Sequence, residues 1–284
     1  MVTENTITAR EQAEIEAANA SGHTPVVFVH GLWLHASSWS RWIDLFREAG
    51  YAALAPGWPD DPESVEESRQ HPEVFAGKGV DEVTDHYAAI IRQLKKSPVI
   101  IGHSFGGLIT QQLLGLGLGA AAVAIDPAPF RGVLPLPFSA LKAAFPVLGN
   151  PANLKRAVSL TAEQFRFAFA NAVSEQEAAE LYATFAIPAP GRPLFQAATA
   201  NIDPTTEAKV NVKNATRGPL LLISGEKDNT VPFAITHAEF KQYEKSAAVT
   251  EFQQIDGRGH SLTIDSGWRE VADHALAFAK LHAA

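Results

Sequence analysis

Ser104, Asp228 and His260 are the side chains of this 284-residue chain whose types and positions best fit one piece of chemistry, the activation of an oxygen nucleophile. A serine hydroxyl is a poor nucleophile at neutral pH. It needs an imidazole to take its proton and a carboxylate to fix that imidazole in the right tautomer. Each of the three follows its own apolar run: Ser104 after Pro98-Val99-Ile100-Ile101, Asp228 after Leu220-Leu221-Leu222-Ile223, and His260 after Val249–Ile255. The reaction such a set performs is attack on a carbonyl carbon, giving an acyl-enzyme that water later cleaves.

The serine sits in Gly102-His103-Ser104-Phe105-Gly106, ahead of Leu108, Ile109, Gln112, Leu113 and Leu116 at helical spacing. This context predicts a buried strand, a sharp turn and a helix, with the hydroxyl pushed out at the strand's C-terminal end. A Cβ two residues before or after the serine would collide with strand or helix, which calls for Gly102 and Gly106. His260 lies between Gly259 and Ser261 in a glycine-rich loop, and Asp228 lies in Gly225-Glu226-Lys227-Asp228 ahead of Val231-Pro232. Of the ten histidines, His103 is expected to turn away from the serine into the core and His30 to bond its own loop.

The order Ser, Asp, His, each after a separate strand, resembles that of the α/β-hydrolase superfamily from about Pro25 to the C-terminus. Val26–Val29 running into His30-Gly31-Leu32-Trp33 is similar to the family's His-Gly loop, which implies an oxyanion hole made by the Phe105 N–H and by that of Leu32 or Trp33, Leu32 being preferred. One such donor is worth ~3 kcal/mol of transition-state stabilisation. The resemblance also makes Asp126, after Val123-Ala124-Ile125, the rival for the acid, since some members carry their carboxylate there. It implies no cofactor and no metal.

The elements that must position these groups are legible too. Strands are expected near 26–30, 52–55, 98–103, 121–125, 219–223 and 249–255, an α/β, doubly wound, mainly parallel sheet of about six strands, trimmed like that of the plant methylesterase and hydroxynitrile-lyase branch. Helices are expected over about Trp39–Ala49, capped by Ser37 or Ser38, over a stretch capped by Asp81, and over about Trp268–His282. Residues 1–24 form a helical extension opened by a Thr8/Glu11 capping box. The acidic run Asp60–Glu67 reads as a solvated face.

Residues 25–126 and 216–284 are assigned to the core, and 127–215 to a helical cap inserted after the sixth strand of the family pattern. Thr161/Gln164 and Ser174/Glu177 are capping boxes there, and prolines mark the joints. Eight of the chain's 16 phenylalanines lie in this cap, so the substrate-binding candidates are Phe130, Phe138, Phe165 and Phe169, with Trp33 from the core.

A net charge of −8 without a basic cluster argues against nucleic acid and anionic membranes as partners. Zero cysteines exclude disulfides, thiolate metal sites and a cysteine nucleophile, and suit a cytoplasmic location. No run approaches a membrane span. The expected partner is a small to medium, largely apolar ester or lactone. Hydroxynitrile lyase, acyltransferase or perhydrolase chemistry on the same triad, and a ligand receptor with vestigial hydrolysis, are the alternatives; a lyase would want a cation such as Lys227 or Arg258 aimed into the pocket.

Overall fold

A computed structural model of the protein describes residues 7–283; residues 1–6 of the expected extension, and Ala284, lie outside the described residues. The apolar runs form a six-stranded sheet in the order β2-β1-β3-β4-β7-β8, with every neighbouring pair parallel. Its strands are β1 (Pro25–Val29), β2 (Ala52–Leu54), β3 (Val99–His103), β4 (Ala121–Ile125), β7 (Leu220–Gly225) and β8 (Thr250–Ile255). A two-residue ribbon, β5 (Ala157–Val158) with β6 (Ala189–Pro190), lies apart from it. The strands fall within one or two residues of the segments expected from the sequence.

Both faces of the sheet are covered, which is why its central strands are apolar without alternation. Val27, Val29, Ile100, Ala122, Ala124, Leu220 and Leu222 pack on one side, while Val26, Phe28, Val99, Ile101, Val123, Ile125, Leu221 and Ile223 pack on the other. The helices, in chain order, are α1 (Ala9–Ser21), α2 (Ser40–Glu48), α3 (Val65–Gln70), α4 (Val80–Ile91), α5 (Phe105–Gly115), α6 (Phe138–Leu148), α7 (Ala162–Ala168), α8 (Glu175–Phe185), α9 (Arg192–Thr199), α10 (Phe233–Gln242) and α11 (Trp268–His282). Phe28 stacks on Trp39 at 5.0 Å and meets Trp42 and Phe46 edge-on, so α2 is fastened to the sheet by aromatic packing.

Several caps differ from expectation in instructive ways. A 3₁₀ turn over Ala36–Trp39, capped by His35, delays α2 to Ser40. Gly79 rather than Asp81 caps α4, leaving Asp81 in its first turn. The boxes at Thr8/Glu11 and Thr161/Gln164 are complete. Ser174 caps α8, but Glu177 does not reciprocate, because its carboxylate accepts the Ser266 N–H at 2.6 Å. Glu11, besides closing its box, reaches His86 Nε2 at 3.0 Å and pins α1 to α4.

One buried acid sets a pH dependence. Glu239 on α10 is sealed from water, with one oxygen accepting from Gln111 at 2.8 Å, and burial holds its pKa well above the usual carboxylate range. Its folded pKa exceeds its unfolded one, so the stability tied to this proton is complete below the unfolded value and is lost as pH rises through the folded value. Glu239→Gln should therefore leave the melting temperature little changed in acid and raise it at neutral pH, flattening the profile in a thermal melt series.

Candidate functional site

The site is built where β3 meets α5. Ser104 occupies this turn at φ 57° and ψ −123°, a strained conformation for a residue with a Cβ, and it is buried. Trp33 (φ 64°) and Asp126 (φ 40°) are likewise at positive φ at the ends of the adjoining strands. Close approach explains the glycines: a Cβ on Gly102 would lie 2.1 Å from the Gly106 carbonyl oxygen, and one on Gly106 would lie 2.1 Å from that of Val29. Gly31 is also crowded, since its Cβ would fall 2.8 Å from that of Ser104, which brings the Gly31-Leu32 loop against the serine. The opening N–H groups of α5, that of Phe105 among them, have no intrahelical acceptor and carry the positive end of the helix dipole.

Ser104 Oγ lies 3.0 Å from His260 Nε2, and His260 Nδ1 lies 2.5 Å from Asp228 Oδ2. A neutral imidazole with its proton on Nδ1 satisfies both contacts, donating to Asp228 and accepting from the serine hydroxyl. The other Asp228 oxygen accepts the N–H groups of Thr230 and Val231 at 2.6 and 2.8 Å, which fixes the carboxylate's orientation. His260 and Asp228 are buried.

Asp126 lies close by. Its Oδ1 accepts the Gly225 N–H at 2.8 Å, while its Oδ2 is 4.0 Å from His260 Nδ1. Complete burial, and then the neighbouring Asp228 charge, push its pKa well above the usual range. His103 is buried as expected, yet it does not turn away from the site: its ring packs 4.5 Å from that of His260, and burial lowers its pKa so that it stays neutral. His103, Asp126 and His260 offer ligand atoms within 4.8 Å of one another. His260 Nδ1 is already engaged by Asp228, which makes this set a poor metal centre.

Bracing residues that the sequence did not reveal hold the loop. Asp61, assigned to a solvated face, is buried with Oδ2 3.1 Å from His30 Nε2 and also accepts the Trp58 N–H. Trp58 stacks on His30 and donates its indole N–H to the His30 carbonyl. His30 Nδ1 meets the Gly31 carbonyl oxygen at 2.9 Å, the bond to its own loop anticipated for it. An acidic pair two residues after a tryptophan was the only sequence signal. The Trp33 indole N–H donates to the Val158 carbonyl and the Trp33 carbonyl accepts from Ile187, tying the loop to the β5–β6 ribbon. The segment after α7 is stitched to both other loops: Thr230 Oγ1 donates to the Ala168 carbonyl, Asn171 to that of Lys227, and the Phe169 carbonyl accepts the Ser261 N–H.

A cavity of about 720 Å³, part of it open to solvent, lies over Ser104. Its wall includes Trp33 and Phe105, but is otherwise mostly alanine, leucine and proline, such as Ala128, Ala143, Ala144, Ala168 and Leu194, with Thr230 as a polar exception. The four cap phenylalanines expected on this wall are elsewhere. Phe138 is 81% exposed on α6, Phe130 packs against Tyr243, and Phe165 stacks on Phe169 at 4.9 Å. Phe169 in turn presses its edge on His260 at 4.8 Å. These last three rings are spent on packing, and small side chains leave the open volume.

This arrangement defines an α/β-hydrolase site, and the sequence profile of the alpha/beta hydrolase family matches residues 26–274; the chain belongs to that family. Solved structures share the fold. A monoacylglycerol lipase from Paleococcus ferrophilus aligns at TM-score 0.63 and 22% identity over 91% of this chain and 95% of its own. An extracellular alpha/beta-hydrolase from a Paenibacillus species aligns at 0.62 and 19% over 90% and 98%, and the methylesterase MES16 from Arabidopsis at 0.63 and 16% over 91% and 99%. No curated protein matches the chain.

Gly106→Ala should destabilise the protein by about 3 kcal/mol, because the intruding Cβ meets backbone oxygen rather than a side chain that can swing aside. Denaturant unfolding would measure this. The more open Gly117, whose Cβ would meet nothing within 4 Å but whose φ is 78°, should tolerate Ala at smaller cost.

Proposed function

We propose that the protein is a serine hydrolase that cleaves a carboxylic ester or lactone of a small to medium, largely apolar substrate through an acyl-enzyme. The observation that carries this reading is the unbroken relay from Asp228 through His260 to Ser104, with its serine on the wall of an apolar cavity. Ser104 attacks the carbonyl carbon as His260 takes its proton. His260 then protonates the leaving alcohol, and water repeats the route to release the acid. The N–H groups of Leu32 and Phe105 hold the oxyanion, with residues 127–215 acting as a cap over the cavity.

Asp228 is the acid of this reading. The imidazolium that forms during attack needs a carboxylate on Nδ1, and Asp228 lies 2.5 Å from that nitrogen where Asp126 comes no nearer than 4.0 Å. Hydrolysis is preferred to a cyanide-handling lyase reaction because no lysine or arginine lines the cavity and the Arg258 guanidinium is paired with Asp265. The wall's small aliphatic side chains favour an uncharged acyl group.

Aryl esters of increasing acyl length and a set of lactones are the test substrates. Ser104→Ala should lower kcat by roughly 10⁴-fold or more and abolish the single fluorophosphonate adduct seen by intact mass. Labelling that persists in this variant, or negligible multiple turnover by the wild type, overturns the reading. Asp228→Asn should cost about 10³-fold and Asp126→Asn far less; the reverse ranking would transfer the role to Asp126.

A further inference from the structure

We propose that the outer face of α6, with the turns on either side of it, docks the cap onto an anionic lipid–water interface. A helix at a protein surface ordinarily turns its polar side outward. In α6 the inward side carries Ala143 and Val147, but the outward side is apolar as well: Phe138, Leu141 and Phe145 follow at intervals of three and four with Lys142 beside them. Leu134 and Leu136 in the preceding turn are 78% and 67% exposed, Phe145 is 70% exposed, and Leu154 stands out in the turn that follows. Exposed large apolar side chains clustered this way mark an interaction surface.

Charge identifies the occupant. Residues 127–162 contain Arg131, Lys142, Lys155 and Arg156 and not one carboxylate, although the chain has 31 and a net charge of −8. The whole-chain charge argued against anionic membranes, but the charge local to this surface has the opposite sign. Lys142 lies over the Phe167 ring in a groove it shares with Glu163, and Arg131 sits near the Asp203 carboxylate, while Lys155 and Arg156 are exposed, so cations outnumber carboxylates on this face. Apolar side chains flanked by cations match a layer of acyl chains beneath anionic headgroups. A two-fold dimer through this face would set the same cations against one another. Continuity with the cavity gives the docking a use, since Leu136 and Leu141 both stand on this surface and line the cavity over Ser104.

Docking does not depend on the hydrolase reading, and its test needs no turnover. The full chain carrying Ser104→Ala is sedimented with vesicles of phosphatidylcholine alone or of equimolar phosphatidylcholine and phosphatidylglycerol. Retention on the anionic vesicles, weakened by salt and small on phosphatidylcholine alone, is expected. Adding Leu134→Ser and Phe145→Ser should lower the vesicle affinity at least about tenfold at an unchanged melting temperature. Adding Lys142→Glu and Lys155→Glu instead should remove the preference for phosphatidylglycerol. No retention on either vesicle, equal retention on both, or an unaffected Leu134/Phe145 variant overturns the proposal. So does a wild-type dimer in analytical ultracentrifugation that this variant converts to monomer, which would assign the face to a second copy of the chain.

Discussion

The approach of β1 to the first turn of α5 is among the tightest constraints at the strand ends, and the rest of the site is arranged around it. The Val29 carbonyl comes so near Gly106 that hydrogen is the only side chain the position admits, and Gly31 is also wedged against Ser104. These contacts push the serine into its strained backbone conformation and bring the Leu32 loop beside it. Such strain persists only when its surroundings over-determine it. Here they do: the Ser104 N–H bonds to the Ile125 carbonyl, and its own carbonyl accepts from Gly107, Leu108 and Ala128.

Below the serine lies a second layer in which electrostatics substitutes for shape. Two carboxyls and two imidazoles are packed out of water within a few ångströms, a grouping that cannot all be charged. Burial disfavours the charged forms of Asp126 and His103, while Asp228 is given two backbone N–H donors and the His260 ring. Of the two acids at strand ends, one thus accepts three hydrogen bonds from groups that favour its ionised form, and the other accepts a single amide from Gly225. Phe169 also packs on His260, so the imidazole contacts both a histidine and a phenylalanine ring.

The parts legible in the sequence were those set by local rules. Apolar runs gave the strands, and the glycines around Ser104 gave the turn, because both reflect steric demands felt within a few residues. The brace of Asp61 on His30 was not legible, since it pairs residues 31 positions apart whose burial depends on how the loop after β2 folds back. The cap phenylalanines misled for a different reason. Their enrichment correctly signalled a need for apolar packing, but Phe165 and Phe169 satisfy it by stacking on each other, Phe130 by meeting Tyr243, and Phe138 not at all. Composition tells how much apolar area a segment carries; which side of a helix it occupies is decided by tertiary contacts.

Trp33 belongs by chain position to the loop beside Ser104 and by bonding to the β5–β6 ribbon above it. Its indole bonds to Val158 in β5 and its carbonyl to Ile187, two residues ahead of β6, while Gly31, two residues earlier, lies against the serine. Loop and ribbon are consequently geared together. Any swing of the ribbon would be passed through these two bonds to the stretch of chain packed against Ser104.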